Sequence, residues 1–536
     1  MNAFALLLAT AAAAYGLARY FRLPSVPILI GAGMALNVAG FAPGEIRIGG
    51  EGAADMLELG LVFLVFASGV ELNPRRFKRF GTTVLWVAGV QFALAMGVGF
   101  LCARWMGMDA LEAVYMGGGL AASSTLVVLR HLQMRKAMFE PYGRVVTGVL
   151  LIQDVALVLL IVMLSRVGGG GWDVGKAMFE VCVMGGIAWI AQRFVIPTMI
   201  SRFKPDEENL LLWLVAVLLG FAGVASWLAL PLIAGAFAGG FVFSAFPLNG
   251  LVRGQLSSLV DFFQAMFFVA LGAILGVPEA GLWMEAVLYS VVVIVVTPPL
   301  IALVAEWRGL NARAGIESGL ILAQTSEYSL LLGLSGVALG HVSGETFSVL
   351  ALTTVLTMVM TPVLGREVVA NFLLPFHPLR KRGKLDETLQ GHVLILGFGS
   401  AGMWTVKPLL AQGEQVLVVD DDAVVCAALA KKGIPFLRGD GAEVEVLDKA
   451  GARDAKLVIA SMRRVGDALT VLRHVQGVPV VARVFEENDG ENVRAAGGIP
   501  VMNSQAAADT FMAWLENNDR LKKADHAKQN PQSQSA

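Results

Sequence analysis

The sequence predicts a polytopic α-helical membrane protein of about 13 spans, built as an inverted repeat with two broken helices, plus a C-terminal Rossmann-like α/β domain. Three observations support that expectation. First, 56% of the 536 residues are hydrophobic and only 15% are charged, against about 25% in a soluble domain. Second, the charge is uneven: residues 1–384 hold 47 charged side chains, and residues 385–536 hold 36 in less than half the length. Third, polar clusters interrupt two of the apolar segments, and a glycine-rich strand–turn–helix pattern opens the charged region. A single soluble enzyme, a disordered chain and a disulfide scaffold are excluded. Cys102, Cys182 and Cys426 are odd in number and widely spaced, so neither a disulfide framework nor a metal pair is implied. The net charge of −1 says nothing about nucleic acid, and no nucleic-acid partner is expected.

A span needs about 20 mostly apolar residues. Breaks at charges, Pro and Gly leave thirteen candidates, centred near Ala12, Met34, Leu61, Phe92, Leu120, Ile152, Gly185, Leu218, Ala238, Phe267, Val292, Leu322 and Leu356. Those around Ala12, Met34 and Ala238 are short and rich in Gly and Ala, the composition of tilted or tightly packed helices. Ala3–Ala14 lacks a basic leader and is followed by Arg19 and Arg22, so it reads as a first span rather than a signal peptide. With the N-terminus outside, 21 Lys/Arg fall on the inside and 4 (Arg47, Arg104, Arg166, Lys176) on the outside. That bias predicts thirteen helices and a cytoplasmic C-terminus.

Polar residues within apolar spans are costly and mark function. The fifth span reads MGGGLAASSTLVVL, with Ser123, Ser124 and Thr125 at mid-depth. The twelfth reads GLILAQTSEYSLLLGL, with Gln324, Thr325, Ser326 and Glu327 at similar depth. Seven helices apart, the two run in opposite directions. Paired interruptions in corresponding halves point to a transporter site, where unwound carbonyls and hydroxyls can surround a cation. The alternative is that each hydroxyl bonds back to its own helix.

Between them, the sixth span (VTGVLLIQDVALVLLIVML) sets Gln153 beside Asp154 in an otherwise apolar helix. In a low-dielectric setting a carboxyl favours its proton, whereas a cation beside it favours the ionised form. Asp154 can therefore hold one or the other, the competition an exchanger needs. A purely structural Asp154 would want a basic partner, and none lies in the middle of any span. Glu327 is the second intramembrane carboxylate. Asp55, Glu58, Glu71, Glu180 and Asp261 sit nearer span ends and read as solvated or interfacial, while His131 and His341 fall in expected loops.

The charged region opens with HVLILGFGSAGMWTVKPLLAQGEQVLVVDDD: a strand (Val393–Leu396), a turn, a helix, and a second strand ending in Asp420. Gly397, Gly399 and Gly402 make GxGxxG, for a tight turn, close phosphate approach and close helix–strand packing. The following helix N-terminus faces the phosphate. Asp420, 18 residues past Gly402, stands where a ribose-binding acid belongs. Ser400 in the turn and Asp440 after a third strand complete the expected nucleotide contacts. Further strands are expected at Pro435–Leu437, Leu457–Ala460 and Val478–Val484. No catalytic His stands beside a nicotinamide position, so a sensor or assembly module is expected and not an enzyme.

On these residues the chain resembles the monovalent cation:proton antiporter-2 family, the Kef-type potassium efflux proteins with a C-terminal RCK (TrkA-N) domain. The matching stretches are LGLVFLVFASGVELNPRRF, ASSTLVVLRHL, LLIQDVALVLL and LILAQTSEYSLLLG, then LGFGSAGMWTVKPLL, VLVVDDD and LRGDGAEVEVLDKAGARDAKLVIAS. The resemblance implies an NhaA/NapA-like fold and alternating access in a bacterial inner membrane. It implies a homodimer, paired through membrane and RCK domains, in which a core domain moves against a fixed dimerisation domain. Asp154 would carry K+ (or Na+) and protons at the crossing of the broken helices. Gln153, Ser123, Ser124, Thr125, Gln324 and Glu327 would line the site, with no metal beyond the transported cation. AMP or NAD(H) would regulate through the RCK domain without any catalytic cofactor, and an ancillary regulatory subunit fits the same pattern. The implied organisation is a transmembrane exchanger domain (1–376), a basic linker (377–390), the RCK domain (391–515) and a disordered polar tail (516–536).

Three departures stand out. Thr325 and Ser326 replace the glycines of the family's Gln-Gly-Gly-Glu motif. Thr297, followed by Pro298 and Pro299, occupies the place of a common eleventh-span Lys. QLSSLVDFF and LGAILGV replace the acidic loop and the Gly-Met-Ser-Leu-Asp-Leu motif, so glutathione gating is not implied. An RCK-gated potassium channel would need a Thr-Val-Gly-Tyr-Gly filter, which the sequence lacks. A non-transporting membrane sensor would bind ligand without flux.

Overall fold

The computed structural model describes residues 2–21, 23–40, 51–72, 74–135, 137–138, 140–203, 206–245, 248–308, 312–374, 390–398, 402–462 and 464–516. The chain forms two compact units, one helical and one α/β, dividing near His377. The helical unit holds α1 (Asn2–Tyr20), α2 (Ser25–Val38), α3 (Glu51–Glu71), α4 (Pro74–Trp105), α5 (Ala110–Ala121), α6 (Thr125–Met134), α7 (Pro141–Leu164) and α8 (Gly171–Ile190). After one π-helical turn, Ala191–Val195, come α9 (Ile196–Phe203), α10 (Glu207–Trp227), α11 (Leu232–Val242), α12 (Leu248–Leu275) and α13 (Ala280–Trp307). The unit closes with α14 (Ala312–Leu322), α15 (Glu327–Ala338), α16 (Gly344–Leu364) and α17 (Glu367–Leu373).

Long apolar runs make these helices, and short polar signals bound them. Asp109, Asp206 and Ser343 cap α5, α10 and α16 by accepting first-turn amides, while Pro141 opens α7. Among the described residues, eight segments are long and apolar enough to cross a membrane; Phe4–Tyr20, Ser25–Val38, Leu59–Glu71 and Leu232–Val242 are shorter apolar helices. Two residues lie on helices instead of in loops: His131, and Arg313, one of the Lys/Arg counted in the inside loops. His131 is buried in the last turn of α6, and Arg313 is inside α14, with its Nε 3.4 Å from Glu317 Oε1. Neighbouring chain covers both helix ends, as where Gly365 leaves room for the His131 ring, so helix continues past the apolar run.

The helices pack in two groups, α1–α3 with α8 and α10–α12, and α4–α7 with α13–α16. In the first group α2 and α12 meet backbone to backbone. A Cβ on Gly33 would lie 2.1 Å from Val269 O, and one on Gly272 would lie 2.0 Å from Ile30 O. A cavity of about 380 Å³ opens at the seam between the groups. Ser68 and Glu71 of α3 and Asp261 of α12 line one wall; Thr125 and Arg130 of α6, with Glu327, line the other.

The α/β unit holds β1 (Val393–Leu396), α18 (Gly402–Ala411), β2 (Val416–Asp420), α19 (Ala423–Lys431), β3 (Phe436–Arg438), α20 (Val444–Lys449), β4 (Leu457–Ala460), α21 (Val465–His474), β5 (Val480–Val484), α22 (Glu487–Ala495), β6 (Ile499–Met502) and α23 (Asn503–Glu516). The sheet is parallel with order β3-β2-β1-β4-β5-β6, the doubly wound dinucleotide-binding order. Val393 pairs with Val416 on one side and Leu457 on the other, so β1 is central, and all four of its residues are buried. The sequence reading missed β6, a short run containing Pro500 that only an edge strand tolerates. The expected tail from residue 517 and nearly all of the expected 377–390 linker lie outside the described residues.

Candidate functional site

The first interruption separates α5 from α6. Ala122 and Ser124 take extended dihedrals (φ −110°, ψ 148° and φ −67°, ψ 117°), leaving the last carbonyls of α5 and the first amides of α6 without helical partners. Side chains replace those partners. Ser124 Oγ accepts from Val127 N at 3.3 Å, Ser123 N donates to Gln153 Oε1 at 3.0 Å, and Gln91 Nε2 donates to Ala121 O at 3.0 Å. Gln91 comes from α4 and Gln153 from α7.

The second interruption separates α14 from α15. Ser326 caps α15, accepting from Tyr328 N at 3.1 Å, while its own amide donates to Ser329 Oγ. Gln324 Oε1 accepts from Thr361 Oγ1 at 2.8 Å. Thr325 N donates to Thr357 Oγ1 at 3.1 Å, and its hydroxyl donates to Thr354 Oγ1 at 2.9 Å. Thr325 is thus met by a row of hydroxyls on α16.

The interruptions touch. Ser123 Oγ donates to Leu322 O at 2.7 Å, and Ser329 Oγ donates to Gly119 O. Because Gly119 pairs with Ser329 and Ser123 with Leu322, the two broken helices pass in opposite directions. Ser123 therefore bonds across rather than back to its own helix, whereas Thr353, Thr354, Thr357 and Thr361 of α16 do bond back to carbonyls three or four residues earlier.

Asp154 lies beside this crossing, 2% exposed. Thr125 Oγ1 donates to its Oδ2 at 3.1 Å, and its Oδ1 has no hydrogen-bond partner. No ion pair reaches it among the described residues. Glu327, also 2% exposed, begins α15 and is close enough to feel the Asp154 charge. The Ser124 hydroxyl and the amides of Leu126 and Glu327 face its carboxyl. Glu327 Oε2 and Gln324 Nε2 have no partner. Two buried carboxyls with open oxygens are high-energy unless a proton or cation satisfies them. The cavity at the seam reaches Thr125 and Glu327 and brings Glu71 and Asp261 to the same space.

Ser123, Ser124, Thr125, Gln153, Asp154, Gln324 and Glu327 thus gather at one crossing. The sequence reading missed Gln91, Ser329 and the α16 threonines. Gln91 was visible as a polar residue inside an apolar span, and Thr353, Thr354, Thr357 and Thr361 fall at helical spacing.

In the α/β unit, Gly397 (φ 78°) ends β1 and turns the chain as only glycine does readily. Asp420 ends β2, its Oδ2 accepting from Phe398 N at 2.6 Å and its Oδ1 from Asp422 N at 2.8 Å. Asp440 follows β3 and accepts from Ala442 N at 2.9 Å, and Gly402 begins α18. These residues share the carboxyl edge of adjacent strands, where open α/β sheets take ligands. Gly399 and Ser400 lie outside the described residues.

Crossed interrupted helices around buried carboxyls in one unit, and a doubly wound sheet as the other, are the parts of a cation/proton antiporter with a TrkA-N regulatory domain. The chain belongs to the sodium/hydrogen exchanger, transmembrane family, whose model it matches over residues 5–369; residues 393–504 match the TrkA-N domain. It is 25% identical over 482 residues to a protein of Alkalimonas amylolytica named "Putative K(+) efflux antiporter KefB", spanning 83% of this chain and 70% of that one. The solved sodium proton antiporter MjNhaP1 from Methanocaldococcus jannaschii has a similar fold (TM-score 0.52, 14% identity, 69% of this chain and 97% of that one). The TrkA-N domain of Escherichia coli inner membrane protein ybaL aligns with 24% of this chain and 99% of its own (20% identity, TM-score 0.23).

Proposed function

We propose that the protein exchanges K+ for protons by alternating access, with Asp154 as the shared carrier and nucleotide as the regulator. The observation that carries this reading is the Asp154 carboxyl, buried at the crossing with Oδ1 open and only the Thr125 hydroxyl on Oδ2. A bare carboxyl in that setting takes a proton or a dehydrated monovalent cation, and each displaces the other. Glu327 and the carbonyls at the two interruptions complete the site. The name of the Alkalimonas relative favours K+ over Na+.

The same reading takes thirteen spans with the N-terminus outside, a bacterial inner membrane location, and a homodimer. The mouth carrying Arg130 then faces the cytoplasm, in keeping with the positive-inside bias. The exchanger domain spans 1–376 and the RCK domain 391–515. In the latter, Gly397, Gly399, Ser400, Gly402, Asp420 and Asp440 hold AMP or NAD(H).

The test is cation-dependent collapse of a pH gradient in proteoliposomes, with K+ and Na+ titrated with and without AMP or NADH. Wild type is expected to exchange K+, and Asp154→Asn to lose exchange at every pH. Full exchange by Asp154→Asn would refute the mechanism, and no flux with any ion would favour a sensor. Asp420→Ala is expected to keep exchange while losing its response to nucleotide.

A further inference from the structure

Gln91 belongs to no element of the mechanism above, yet it is 1% exposed and both ends of its amide are engaged. The amides of Gln91 and Gln153 are oriented from outside the pair. Ser123 N–H is a donor, so the Gln153 atom facing it is the carbonyl oxygen. Ala121 C=O is an acceptor, so the Gln91 atom facing it is the amide nitrogen. What remains is Gln153 Nε2 donating to Gln91 Oε1 at 2.5 Å. Turning either amide over would set like groups face to face.

Two rungs therefore join α7 to the first interruption. Gln153 holds Ser123 and the next residue, Asp154, takes the Thr125 hydroxyl. The first rung fixes the height of the second, and Gln91 fixes the first. With its carbonyl accepting from Ser123 N–H, Gln153 holds the backbone in place.

We infer that Gln91 is a positioning residue for exchange, acting through Gln153 to set the Thr125–Asp154 contact; this rests on reading Asp154 as the carrier. Gln91→Met keeps the length of the side chain and removes both hydrogen bonds. A displacement of about 1 Å at a reacting group is costly. The K+ concentration for half-maximal exchange is expected to rise about tenfold, as when a residue orienting an ion ligand is lost, with a displaced pH profile and a retained maximal rate.

The experiment titrates K+ at several pH values in proteoliposomes of wild type, Gln91→Met, Gln153→Met, the double variant and Asp154→Asn. The expected result is that the double variant is no worse than Gln153→Met alone, since Gln91 works through Gln153. Multiplying effects in the double variant would overturn the inference, as would a wild-type half-saturation and pH profile in Gln91→Met. If Gln91→Met is not monodisperse, Gln91→Leu is a second branch that also removes both hydrogen bonds. It is expected to show the same rise in half-saturation, and wild-type values there count against the idea. Loss of folding in both variants would assign Gln91 to the fold alone and also overturn it. An active Asp154→Asn would fell the carrier reading itself, whereas an inactive one beside a wild-type-like Gln91→Met fells only this inference.

Discussion

At the scale of single residues, the structure answers a polar residue with polar neighbours. Thr325 sits in the second interruption, and its amide and hydroxyl both end on α16 threonines. Thr357→Val would leave the Thr325 N–H without an acceptor. A buried unsatisfied donor costs about 1–3 kcal/mol, so the variant's thermal unfolding midpoint in detergent should fall below wild type. Cys426 gives a second prediction. Burial, with the Asp420 carboxylate beside it, pushes its thiol up to about 11. The thiol stays protonated at neutral pH, and its alkylation rate should climb across pH 8–10 without levelling. Asp420→Asn removes that charge and should bring the plateau to lower pH. The carboxylates and hydroxyls of the site were legible because charge and polarity are conspicuous in an apolar helix. The role of Gln91 is not legible in the sequence, since its importance lies in what it touches 30 and 62 residues away, which spacing does not reveal.

At the scale of elements, both interruptions fell on the expected polar clusters. The ends of α6 and α14 did not follow the apolar runs, because packing at His131 and Arg313 extends helix where composition suggests loop. Strand β6 escaped notice for the opposite reason: its pattern is weak and only pairing with β5 defines it. The α2–α12 contact was legible only as a Gly/Ala-rich composition near Met34. Its energetics are severe, because Gly272 carries no room for even one carbon against Ile30 O. Gly272→Val should force the helices apart, at more than the about 1–3 kcal/mol typical of overpacking. Size-exclusion chromatography should show aggregated or absent protein, while the same change at Gly281, which has open space around its Cβ, should be silent.

At the scale of the whole molecule, the division into a helical unit and a separate unit was legible in the distribution of charge, and the sheet of the second in its glycine-rich opening. One long rod of the bundle was not. Gly171–Phe203 runs as a continuous 33-residue segment, which at about 1.5 Å per residue reaches about 50 Å, well beyond the about 30 Å of hydrocarbon. Its π turn is pinned where Gln192 donates to Phe241 O and Ser244 Oγ at the end of α11. Phe179, Trp189, Ile190 and Phe194 stand exposed along it. A rod too long to stand upright must lean or bow, and one hinged at a fixed point converts bilayer thickness into leverage on the helix it is tied to. Exchange measured in phospholipids of graded acyl length should therefore pass through an optimum, and Gln192→Ala, which frees the hinge, should flatten it.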